Sequence, residues 1–243
     1  MGKTTFAGNL GLLHLGILLI LVNLAVIYFF DIEVSRAIRL GSCITLIGYL
    51  LVKSGFKKNL LVLGLSFLLV RDIAVLFYEI PVFKTASLLC TVLVYTGICL
   101  FTFKRLPMVR FSRTIIIFGL VIIVLNIFNV FYLSDIIIAS LDNDAQLILF
   151  FTQSAVMLFM ALFAFLYNES FEGTQSLHLL LCVLAFIFSD LGGLAAYFFG
   201  YEPAFYAERT FYLIAASYLV HYTINFQPEA DVISELSDSG LKV

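Results

Sequence analysis

The stretch LLVRDIAVLF, residues 68–77, sets an arginine and an aspartate between two apolar runs. No turn-forming residue interrupts it, so Arg71 and Asp72 belong inside a helix. The chain around them identifies the surroundings. Of 243 residues, 62% are hydrophobic and 12% charged, whereas soluble domains carry about 25% charged residues. Mean hydropathy is +1.08. This is the composition of a polytopic membrane protein. A charge near the middle of a bilayer costs about 2.5–3.5 kcal/mol on insertion scales, so it faces a bundle interior or a cavity and has a partner there.

Working outward, runs of about 20 apolar residues, the length a spanning helix needs, recur at 9–30, 36–53, 59–80, 84–103, 114–134, 146–167, 177–199 and 208–226. They are too long and too evenly apolar for the alternating strands of a membrane barrel. Only helices or closed barrels can satisfy the backbone in lipid, so the fold class is an all-α transmembrane bundle. Eight spans are expected. Seven remain possible, because the second reaches full length only if Arg36 and Arg39 snorkel to the interface. Residues 1–227 form the membrane domain, and 228–243 form a short acidic tail with no room for an output domain.

Lys and Arg collect on the cytoplasmic side of a membrane protein. With eight spans, Lys3, Lys53, Lys57, Lys58, Lys104, Arg105, Arg110, Arg113 and Lys242 share one side, and Arg36, Arg39, Lys84 and Arg209 share the other. Both termini are therefore expected in the cytoplasm; a seven-span chain without the second span also satisfies the rule, with the N-terminus outside. The net charge of -2 carries no mark of a nucleic-acid surface. The four cysteines, Cys43, Cys90, Cys99 and Cys182, lie in apolar stretches without metal-ligand spacing and are expected to be small core or lipid-facing residues. No metal or cofactor is expected.

A second stretch, FIFSDLGGLAAYF (residues 186–198), places Asp190 inside the seventh span as Asp72 lies inside the third. Each is 13 residues into its span, about 20 Å deep at 1.5 Å per residue. Two acids at one depth on parallel helices either pair with Arg71 as a strut or share a polar pocket. In a pocket, two close carboxylates do not both ionise readily, which supplies a general acid and a general base. Other intramembrane polar residues are candidates for the same pocket. Asn126 and Asn129 are three apart on one helix face; Gln153 and Ser154 lie in the sixth span; Tyr218, His221 and Tyr222 lie in the eighth. Interhelical hydrogen bonding is the commoner fate of such side chains. Glu79 and Glu208 fall near the outer interface, where solvation accounts for them.

The run AVMLFMALFAFLYNESFEGTQSLHLLLCVLAFIFSDLGGLAAYF with FYLIAASYLVHYT, and LSFLLVRDIAVL before them, resembles the YhhN-like lysoplasmalogenase family of eight-span membrane proteins over about residues 55–226. The shared features are a Met-bearing sixth helix, a Ser-Asp in the seventh, tyrosines in the eighth and an aspartate in the third. Arg71 stands where that family has glycine. Tyr95 is kept in the fourth helix, with Val92 near the place of the family's histidine. The resemblance implies hydrolysis of the vinyl ether bond of a lysophospholipid. Asp72 and Asp190 would be catalytic, with Arg71, Asn126, Asn129, Tyr218 and His221 in the substrate site. It also implies an integral protein of a bacterial inner membrane. Two other readings stay open: a non-enzymatic lipid- or ligand-binding protein of this fold, and a small transporter that uses the acids as a proton relay.

Overall fold

A computed structural model describes residues 3–54, 60–106, 117, 119–120, 124, 138–171 and 173–225. These residues form seven long helices: α1 Lys3–Phe29, α2 Ile32–Ser54, α3 Leu60–Leu76, α4 Pro81–Phe103, α5 Asp144–Ser170, α6 Thr174–Tyr197 and α7 Ala204–Asn225. There is no strand among the described residues. Five of the helices are long and apolar enough to cross a membrane, α2 included. The expected span at 114–134, with Asn126 and Asn129, and the acidic tail lie outside the described residues, apart from isolated positions of that span.

The surface is the reverse of a soluble protein's. Leu13, Leu18 and Leu21 of α1, Val52 of α2 and Phe103 of α4 are more than half exposed, while Arg39, Arg209, Asp72 and Glu208 are sealed inside. Apolar side chains outside cost nothing in a hydrocarbon solvent, and charges inside can pair.

Helix α7 is the pivot. It packs along α6 and also touches α1, α2 and α3. Small residues permit this. Ala215 and Ala216 are buried in its middle, and Gly192 of α6 lies so near α7 that a Cβ there would come 2.7 Å from the Glu208 backbone nitrogen. Close backbone approach over small residues is the usual way membrane helices associate. Between α6 and α7 the chain reverses at Gly200, whose φ of 64° suits a residue without a Cβ.

The start of α5 is pinned to the start of α4. Asn143 caps α5 by accepting a hydrogen bond from the Gln146 backbone nitrogen at 3.0 Å. The buried Gln146 side chain donates to Pro81 O, to Thr85 Oγ1 and to Asp142 Oδ2. Lys84 Nζ donates to Ser140 O at 2.9 Å and to Asp142 Oδ2 at 3.2 Å. Pro81 opens α4, where its missing N–H is harmless.

Candidate functional site

The bundle interior holds a network of ionic side chains from four helices. Arg39 of α2 is the hub. Its Nη1 donates to Glu208 Oε1 of α7 at 2.6 Å, and its Nε lies 3.0 Å from Asp72 Oδ1 of α3 in an ion contact that is not an aligned hydrogen bond. Tyr212 Oη donates a hydrogen bond to Asp72 Oδ2. Arg209 donates to Ser35 O at 2.8 Å and lies 3.4 Å from Glu208 Oε2. Asn23 of α1 extends the network by donating to Ser42 Oγ at 2.8 Å.

A second, looser group adjoins it. Asp190 of α6 accepts two hydrogen bonds on Oδ2, from Tyr95 Oη of α4 at 2.7 Å and Gln153 Nε2 of α5 at 2.8 Å. Its Oδ1 lies 3.9 Å from Arg71 Nη2, with the two side chains 12% and 11% exposed. The Tyr212 ring joins the groups, since the Arg39 and Arg71 guanidinium carbons lie 4.0 and 5.6 Å from its centroid. The arginines Arg39, Arg71 and Arg209 balance Asp72, Asp190 and Glu208, so the interior carries no net charge from these six groups. Unpaired, each would cost several kcal/mol.

Arg71 and Asp190 line a cavity of about 350 Å³. Its walls come at helical spacing from Arg71, Val75 and Tyr78; from Phe150, Gln153, Ser154 and Met157; and from Asp190, Gly193, Leu194 and Tyr197. Arg39 and Glu208 reach it from α2 and α7. It lies toward the end of the bundle where α3 and α6 finish and α4, α5 and α7 begin. Buried polar atoms without a partner include Arg71 Nη1, Gln153 Oε1 and Ser189 Oγ, all on residues of this cavity. Such atoms are rare in native interiors and call for an explanation.

The expected site residues separate. Asp190 and Arg71 stand together on the cavity. Asp72 is 1% exposed, held by Arg39 and Tyr212, and is not among the lining residues. Tyr218 and His221 do not line this cavity. They lie against His178, whose ring centroid is 5.6 Å from that of Tyr218 and 4.5 Å from that of His221. The physical reason is helix geometry: ten residues beyond Glu208 is about 15 Å along α7. Asn126 and Asn129 lie outside the described residues.

Arg36, Arg39 and Glu208, expected at the solvated interface, are instead buried at 3%, 2% and 2%. Each has a partner: Arg36 Nη1 donates to Glu79 Oε1 at 2.6 Å, and Arg39 pairs with Glu208. The sequence held a signal for them. Ser35, Arg36, Ser42 and Cys43 each lie three or four residues from Arg39, a buried polar face of α2; Glu208 and Tyr212 are one turn apart on α7. The four cysteines are free and buried, which decides for core over lipid-facing positions, and no group of three or more metal-binding side chains occurs among the described residues.

The site is thus an ion-balanced interior with an acid, a guanidinium and unpartnered polar atoms on one cavity. No protein-family model matches this chain, and neither a curated protein nor a solved structure does.

Proposed function

We propose that the protein is a membrane hydrolase that cleaves the vinyl ether bond of a single-chain ether phospholipid, with Asp190 handling the proton. The observation that carries this reading is the placement of Asp190 and Arg71 side by side on one intramembrane cavity. Arg71 suits a lipid phosphate, because a guanidinium binds phosphate through charge-assisted hydrogen bonds. At 3.9 Å its contact with Asp190 is longer than those Arg39 makes. A phosphate that takes Arg71 leaves Oδ1 of Asp190 to carry a proton.

The Asp190 carboxyl then protonates the β-carbon of the vinyl ether, which gives an oxocarbenium ion. The carboxylate so formed takes a proton from the water that adds to that ion. The hemiacetal collapses to a fatty aldehyde and a glycerophospho-base, so water is the one reagent consumed. The logic parallels that of carboxyl-catalysed glycoside hydrolysis. Tyr95 and Gln153 orient the carboxyl. Asp72 serves as a positioning residue: it holds Tyr212 and Arg39 beside Arg71.

The test is aldehyde release from a lysoplasmalogen by purified protein in detergent, with Asp190→Asn and Asp72→Asn alongside and folding followed by size exclusion. Release by wild type that falls at least 100-fold in Asp190→Asn supports the reading. No release from monodisperse wild type ends it. A second reading, lipid binding without cleavage, draws on the fact that both aspartates already face a guanidinium. Saturable lysolipid binding without aldehyde release is its expected outcome.

A further inference from the structure

The cavity reaches the seam between α5 and α6. Leu191 lines the cavity with Arg71 and Asp190, yet it is 47% exposed on the outer face of the bundle. Along α6, Asp190, Gly193, Leu194 and Tyr197 form the inward stripe, and Leu191, Leu194 and Phe198 form the stripe beside it. Across the seam α5 presents Phe150, Ser154 and Met157. The Phe150 and Phe198 rings, 5.7 Å apart, close the seam toward the end of the bundle. Polarity therefore changes over the width of one helix, from an apolar seam to the unpartnered atoms Arg71 Nη1, Gln153 Oε1 and Ser189 Oγ.

We propose that a single-chain lipid reaches this cavity sideways from the bilayer through the α5–α6 seam, with its chain against Met157, Leu191 and Leu194 and its phosphate against Arg71. The gradient fits an amphiphile better than a wholly polar or wholly apolar ligand. A volume of about 350 Å³ is near the lower end of small-molecule pockets, which run from about 300 to 1,000 Å³. The cavity therefore receives the head and the first carbons, and the rest of the chain stays in lipid. The inference shares with the proposed function only that the cavity takes a lipid; it does not need the lipid to be cleaved.

The chain has no tryptophan, so Leu191→Trp introduces a single reporter at the seam. In nanodiscs, its fluorescence is titrated with an acyl lysophosphatidylcholine brominated on the chain, a probe without a vinyl ether. Leu21→Trp, on the outer face of α1, serves as the lipid-facing control. The expected result is saturable quenching at 191, at probe levels where the control responds only in proportion to probe, and loss of saturation when Arg71→Ala is added. Met157→Trp reports from the other side of the seam should Leu191→Trp fail to fold. Quenching at both seam positions no steeper than the control overturns the proposal. Saturable quenching with no aldehyde release from a lysoplasmalogen keeps the portal and removes the hydrolase.

Discussion

At the scale of single residues, the two aspartates differ in what they hold. Asp72 faces the buried Arg39, with side-chain exposures of 0% and 2%. Removing one member of a buried pair leaves the other charge uncompensated, at a cost of about 3–5 kcal/mol. Asp72→Asn is therefore expected to lower the thermal midpoint in detergent more than Asp190→Asn does, because the contact of Asp190 with Arg71 is looser and lies on the cavity. Equal losses in the two variants would contradict this division. A pH effect belongs to Asp142, in the connection before α5. Hydrogen bonds from Lys84 and Gln146 hold its carboxyl below the ordinary 3.8. Its contribution is present above pH 3.8 and is lost as pH falls through the lowered native value. The midpoint gap between wild type and Asp142→Asn should close on acidification through that window, and added salt should narrow it, since the group is exposed.

At the scale of elements, the α6–α7 contact controls the site. Gly192→Ala puts a methyl 2.7 Å from the Glu208 backbone nitrogen, so the helices must separate and Glu208 must shift from Arg39. Loss of thermal stability and of lysolipid binding together is the expected outcome. Gly64 of α3 is the comparison: a Cβ there meets nothing within 4 Å. Gly64→Ala should be neutral or stabilising by up to about 1 kcal/mol through helix propensity. If both alanines behave alike in a thermal scan, close approach is not what Gly192 provides.

At the scale of the whole molecule, an apolar exterior and an ionic interior imply opposite responses to one substitution. Leu18, 57% exposed on α1, should tolerate Phe or Val with little change. Leu18→Arg should reduce membrane insertion by about 2.5–3.5 kcal/mol if the position sits near mid-bilayer, read as the inserted fraction in a translation assay with microsomes. Wild-type insertion by Leu18→Arg would place α1 outside the hydrocarbon.

The sequence by itself determined the fold class and most helix positions, because apolar runs of spanning length have one stable solution in lipid. It also singled out Asp72, Arg71 and Asp190, since a charge amid apolar residues stands out without any structure. It did not decide which charges are interior. Arg39 and Glu208 lie near span ends, where snorkelling and burial read alike; only their pairing across α2 and α7 makes them core residues. Nor did it decide that Asp190 borders the cavity while Asp72 lies behind Tyr212, or that Tyr218 and His221 fall at the other end of α7. Those outcomes depend on how far each helix is rotated and slid against its neighbours, which side-chain packing sets and the order of residues along one chain does not display.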